Sequence, residues 1–137
     1  MFLHGFTRRI VIDTNIIISA LLSPNGSAAK FMGDVFDGKY EVIVTSSILD
    51  EYDEVMRRKR FDINEEIIDF ILVWMYDNAL FVEVDEADYP QEEMPDSKDA
   101  PFYVAARSTG ALLVTKNIKH YPVTEWRTMI WELADIK

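Results

Sequence analysis

The sequence predicts an α/β domain on a parallel sheet of about four to five strands, with helices packed against the sheet. Three observations carry that prediction. Short β-branched apolar runs alternate with stretches of helical periodicity, which implies parallel pairing and right-handed crossovers. The first run, Arg9-Ile10-Val11-Ile12, ends abruptly in Asp13-Thr14-Asn15, where the helical pattern begins. Apolar residues fill 49% of the 137 positions, which is too many for a disordered chain and enough for one core, so residues 1–137 are expected as one domain.

The elements follow in order. Arg9 to Asp13 reads as a buried strand. Thr14 to Leu22 reads as a helix stopped by the turn signal Ser23-Pro24-Asn25-Gly26. A second helix runs from about Ser27 to Phe36 and ends at Asp37-Gly38. Glu41-Val42-Ile43-Val44 is the second strand, and Thr45 and Ser46 are candidate N-caps for a helix reaching about Arg57. Arg57-Arg58-Lys59-Arg60 connects it to a helix over roughly Asn64 to Tyr76. Leu80 to Val84 alternates partly and reads as a short strand. Glu86 to Lys98 is acidic, holds Pro90 and Pro95, and has no periodicity, so it reads as a loop. A helix is expected from Asp99 to Ser108 before Gly110, then strands at Ala111 to Thr115 and Arg127 to Trp131, with room for a short C-terminal helix.

The net charge of −10 argues against non-specific nucleic-acid binding, which runs on Lys and Arg. It fits a chain that gathers carboxylates for a metal or meets a basic partner. There is no cysteine, so disulfides, zinc-thiolate sites and thiol nucleophiles are excluded, in keeping with a reducing cytoplasm. The apolar start, Met1 to Phe6, lacks the h-region and cleavage site of a signal peptide. The longest apolar stretch, Ile67 to Tyr76, is far below the ~20 residues that span a bilayer, so no membrane association is expected.

The chemistry concentrates in acidic residues. In open parallel sheets ligands bind beyond the carboxyl ends of the strands, and Asp13 stands there with Thr14 and Asn15 beside it. An aspartate in that place also serves as a helix cap. Glu51 lies at the border of the apolar stripe Ile48, Leu49, Tyr52, Val55, Met56, and Asp53 lies at the opposite border, so helical geometry alone does not choose between them. Asp96 and Asp99 open the helix containing Phe102. Asp99 and Ser97 are both plausible caps, and a helix N-terminus favours the ionised carboxylate that a metal needs. Thr115-Lys116-Asn117 again puts a hydroxyl and an amide beyond a strand end, and His120 reads as a surface histidine rather than a ligand. Converging carboxylates repel without a cation among them. An all-oxygen site selects Mg²⁺ or Mn²⁺, which supports hydrolysis of a phosphodiester without a covalent nucleophile.

On these residues the chain resembles the PIN-domain family, mostly metal-dependent ribonucleases, over essentially its whole length. Ile10 to Asn15 is similar to the family's opening strand, which implies Asp13 as first metal ligand and Asn15 as a polar contact. Ser46 to Tyr52 is similar to the helix carrying the family's glutamate, which selects Glu51. Asp96-Ser97-Lys98-Asp99-Ala100-Pro101-Phe102 is similar to the segment with the third acidic residue, implying Asp99 with Asp96 as accessory. Leu113 to Asn117 is similar to the strand that commonly ends in Thr-Gly-Asp, which places Thr115 and Asn117 at the site. Here Lys116 replaces the glycine and Asn117 the aspartate, so this position brings no charge toward a second metal. Asn117-Ile118-Lys119-His120-Tyr121-Pro122 is similar to the VapC-like toxin components of toxin–antitoxin pairs. The resemblance implies a three-layer α/β/α fold, an endoribonuclease acting on RNA, an antitoxin partner and a homodimer or higher homo-oligomer.

Two further features bear on partners. The basic run reads either as a solvated connector or as a surface in which Arg58 and Lys59, with Lys116 and Lys119 near the crevice, supply local positive charge for RNA in an acidic chain. The helix over Ile67 to Tyr76 is apolar nearly all round, so one face is expected in the core and another under connecting loops or a partner. The alternative function is a catalytically weak or inactive PIN module that binds RNA or protein. A phosphotransfer domain fits less well, because Asn15 stands where a haloacid-dehalogenase site has its second aspartate and a receiver would pair acidic residues after its first strand.

Overall fold

The computed structural model describes residues 8–85, 87, 94, 97–121 and 130–132. The chain runs β1 (Arg8–Ile12), α1 (Thr14–Leu22), α2 (Ser27–Phe36), β2 (Tyr40–Val44), α3 (Ser46–Met56), α4 (Glu65–Asn78), β3 (Leu80–Phe81), α5 (Ala100–Thr109), β4 (Leu112–Thr115) and β5 (Ile130–Glu132). The strands form one parallel sheet in the order β3-β2-β1-β4-β5. The expected α/β class and parallel pairing are therefore observed.

The first strand occupies the centre because it is apolar on both faces. Ile10, Val11 and Ile12 are all buried, as a parallel strand covered by helices on both sides requires. Val42 to Val44 and Leu113-Val114 flank it in the same condition. Connections from β1 to β2 to β3 travel one way across the sheet, and the return through α5 to β4 travels the other. With right-handed crossovers, opposite directions put their helices on opposite faces, which yields three layers. α2 and α4 pack on β2, while α5 packs on β1, β2 and β4.

Local signals explain the helix ends. The Thr45 hydroxyl accepts from Ile48 N at 3.1 Å and caps α3, and Asn64 accepts from Glu66 N at 2.7 Å and caps α4. Pro101 sits in the first turn of α5, and Gly110 closes that helix at φ 73°, a left-handed position suited to glycine.

Several expected boundaries shift. The third strand covers Leu80–Phe81 rather than Leu80 to Val84. Its partner β2 ends at Val44, whose carbonyl takes one last bond from Val82 N at 2.9 Å, so the residues beyond have no ladder to join. Most of the expected loop from Glu86 to Lys98 lies outside the described residues; its last two positions join Asp99 in a 3₁₀ turn, Ser97–Asp99, that leads into α5. The last strand is Ile130–Glu132; positions 127–129, Asp96 and the C-terminal helix expected after the strand lie outside the described residues. Among the described residues no helix is long and apolar enough to cross a membrane.

Candidate active site

The strand order itself makes the crevice. β1 has β2 on one side and β4 on the other, and the connections that lead to β2 and to β4 run in opposite directions across the sheet, so its carboxyl end is the topological switch point. Asp13 is the next residue. It precedes α1 as the N-cap position, yet its side chain makes no cap bond. The carboxylate turns instead into the crevice, where it is only 4% exposed. Its backbone N–H donates to Val114 O at 3.0 Å, which locks it to β4.

Two hydroxyls serve this carboxylate. Thr115 Oγ1, at the end of β4, donates to Asp13 Oδ2 at 2.8 Å, and Tyr121 OH donates to the same oxygen at 2.8 Å. A 3₁₀ turn, Ile118–His120, brings Tyr121 back under the sheet edge, where it is buried. Both bonds fall on Oδ2, which leaves Oδ1 as the oxygen for a cation. Asn15 braces the donors: its amide nitrogen donates to Thr115 Oγ1 at 3.3 Å, and its oxygen accepts from Lys116 N at 3.2 Å. Asn117 N donates to Thr115 Oγ1 at 3.0 Å, while the Asn117 side chain stands exposed at the rim.

Sequence reasoning had assigned no role to Tyr121 or to the hydroxyl of Tyr52. Tyr52 lies inside the apolar stripe of α3, and its OH donates to Ile12 O at 2.5 Å, fastening α3 to the end of β1. Burial and the Asp13 charge push the Tyr52 phenol above its ordinary value. Burial does the same for Tyr121, followed by the charges of Asp13 and Asp99. Both phenols therefore stay neutral donors. The only sequence signal for Tyr121 was its place in the toxin-like motif after Asn117.

The other predicted acids approach this centre without closing on it. Glu51 is half-buried on α3. Burial raises its carboxyl first, Glu54 next, and Asp13 also raises it, while Arg58 and Lys98 pull it down. The Asp13 charge is the smallest of these influences on Glu51. Asp99 caps α5 without a side-chain cap bond, and its Oδ2 lies 3.3 Å from His120 Nδ1. Among the described residues no three Asp, Glu or His side chains already form a compact metal-binding cluster. Of the cationic candidates, Arg58 pairs with Glu54 at 3.1 Å, and Lys59, Lys116 and Lys119 are exposed.

Asp13 takes part in none of the ion pairs among the described residues. A buried carboxylate is normally paired or bound to a metal. The neighbouring Thr14 hydroxyl is also buried with no hydrogen-bond partner. Carboxylates, hydroxyls and amides without sulfur are the donor set of a hard divalent cation, so the residues present fit one.

A carboxyl raised in the fold contributes stability that is present below its ordinary value of 4.5 and is lost as pH rises through the raised value. In chelator, Glu51→Gln is expected to melt above wild type at neutral pH, with the gap closing in acid. A variant that melts lower at neutral pH would show that Glu51 is held by favourable contacts instead.

The PIN domain family model matches residues 9–119. An uncharacterized protein of Methanocaldococcus jannaschii is 44% identical over 43 residues, a match covering 31% of this chain and 28% of that protein's length. Among solved structures, VapBC2 from Rickettsia felis bound to a promoter DNA fragment is similar at 16% identity, with a TM-score of 0.62, over 90% of this chain and 98% of that one. FitAB bound to the IR36 DNA fragment is similar at 14% identity, with a TM-score of 0.65, over 93% and 97%. These structural likenesses concern the fold.

Proposed function

Because the chain belongs to the PIN-domain family, we propose that it is a metal-dependent endoribonuclease and the toxin half of a toxin–antitoxin pair working in the cytoplasm. The observation that carries this reading is Asp13: a buried carboxylate at the sheet's switch point, oriented by two hydroxyls and left without a cationic partner among the described residues. When bound, Mg²⁺ or Mn²⁺ supplies Lewis-acid activation of water and neutralises charge at the phosphodiester. Asp13, Glu51 and Asp99 hold it, with Asp96 as accessory. Thr115 and Tyr121 fix the Asp13 carboxylate, and Asn15 fixes Thr115. Asn117 adds a neutral amide at the rim. Arg58, Lys59, Lys116 and Lys119 offset the charge of the RNA backbone.

The test is cleavage of a mixed pool of structured and single-stranded RNA with Mg²⁺, Mn²⁺ or chelator. Cutting that requires metal is expected. Folded protein that cuts with neither metal would favour the second reading, an inactive module that binds RNA or protein. That reading draws on Asn117, which puts no charge where relatives commonly have aspartate.

The antitoxin proposal draws on VapBC2 and FitAB, the similar structures. The proposal of a homodimer draws on α4. Phe36 and Trp74 stack edge-on at 5.0 Å on its inner side, while Phe70 and Tyr76 remain 62% and 70% exposed. With Ile67 and Val73 also exposed on this helix, an apolar patch supports the reading of an interface. Light scattering at micromolar concentration is expected to report a dimer, and Phe70→Glu a monomer of unchanged fold. A monomeric wild type would remove the proposal.

A further inference from the structure

A groove of about 550 Å³ opens beside Asp13 and outside its donor set. Asn15, Lys116 and Asn117 line it, and Asn15 and Asn117 are bonded to the Thr115 hydroxyl. Arg60 and Phe61, in the turn after α3, line it as well, with Leu22 among its apolar residues. The chain carries a net charge of −10, yet among the described residues none lining this groove is acidic and two are cationic.

Those two cations are not spent on carboxylates. Arg57 pairs with Asp53 and Asp69, and Arg58 with Glu54. Arg60 enters none of the ion pairs among the described residues; its guanidinium lies 4.8 Å from the centroid of the Phe61 ring. Lys116 Nζ is held by a neutral partner, donating to Ser19 Oγ at 3.0 Å, so its charge is positioned and not cancelled. Cations for phosphates beside an aromatic and guanidinium surface for a base are the usual elements of a single-strand nucleic-acid site.

We propose that this groove is a nucleotide subsite: it takes one unpaired RNA base on Arg60 and Phe61 and the adjoining phosphate on Lys116, beside the bond to be cut. The inference rests on the nuclease reading and adds to it a substrate preference. A base inside a duplex cannot reach the ring, so single-stranded RNA is selected. An acidic peptide would use the same cations but would draw nothing specific from the stacking surface.

The test is anisotropy of a fluorescein-labelled single-stranded RNA of about twelve nucleotides, within the usual span of such sites. It is run in chelator, so that binding is read without cleavage, with circular dichroism as the check on folding. Phe61→Leu and Arg60→Gln are each expected to weaken binding about ten-fold, the usual scale for one lost stacking contact. Lys116→Gln is expected to flatten the slope of log affinity against log salt by about 0.7. A labelled RNA duplex should be indifferent to Phe61→Leu. The subsite is overturned if all three folded variants bind as wild type, or if wild type does not bind the single strand. It is equally overturned if a Glu-rich peptide loses affinity in the variants and the RNA does not. Arg60→Gln, on an exposed side chain, keeps the test open if Phe61→Leu fails to fold. Metal-dependent cleavage by wild type with unchanged binding in the variants would remove the subsite and leave the nuclease. Lost binding in the variants with no cleavage by wild type would remove the nuclease and leave an RNA-binding groove.

Discussion

Asp13→Asn is expected to reduce metal-dependent RNA cleavage by at least about 100-fold, since loss of even an outer partner of a metal ligand costs about 10–100-fold. The amide keeps the size of the carboxylate and removes its charge. Thr115 and Tyr121 both donate to Oδ2, so the amide oxygen takes that place and the NH₂ group replaces Oδ1, the oxygen left for a cation. A second readout separates metal binding from turnover. Added Mg²⁺ or Mn²⁺ should raise the melting temperature of wild type, by mass action on the folded state, and leave the variant where it was. In chelator the variant should melt at or above wild type, because a buried charge without a cationic partner burdens the fold. Full cleavage by the variant would place the chemistry elsewhere, and a metal shift that persists would remove Asp13 from the ligand set.

Tyr121→Phe is expected to produce the largest loss of stability from a single atom. The ring stays and fills the same buried space, but Asp13 Oδ2 loses one of its two donors. Hydrogen bonds to charged groups are worth about 1.5–3 kcal/mol, which for a domain of this size is a fall of roughly 5–10 °C in melting temperature. The loss should depend on the carboxylate. With Asp13→Asn as background the same change should cost about 1 kcal/mol less, since the two residues share one bond. Additive effects in that cycle would mean that the hydroxyl stabilises the fold through something other than Asp13. Metal affinity read by thermal shift should fall about ten-fold, the effect of loosening a ligand's orientation.

The architecture was legible because it rests on local rules. The runs 10–12, 42–44 and 113–114 within β1, β2 and β4 are short and apolar, mostly β-branched, and a sheet covered on both faces buries such runs completely. Gly110, Pro101 and the Thr45 and Asn64 caps announce helix ends within a few residues of where they occur. What failed locally was the third strand, whose length depends on where β2 stops and not on its own pattern. The candidate site divides in the same way. Asp13 was visible from its place after a strand, but a cap and a ligand look alike in sequence. Only the fold turns its carboxylate toward Thr115 and Tyr121, residues 102 and 108 positions away.

The sequence by itself determined the α/β class, the strand and helix sequence, and the acids available to the crevice, because periodicity and residue chemistry act over a few positions. The tertiary structure alone decided three things: that β1 lies between β2 and β4, that Tyr121 serves Asp13, and that Arg60, Phe61 and Lys116 share one groove. Each depends on strand order and on a turn's direction. Those are set by the packing of the whole core, and no local pattern encodes them.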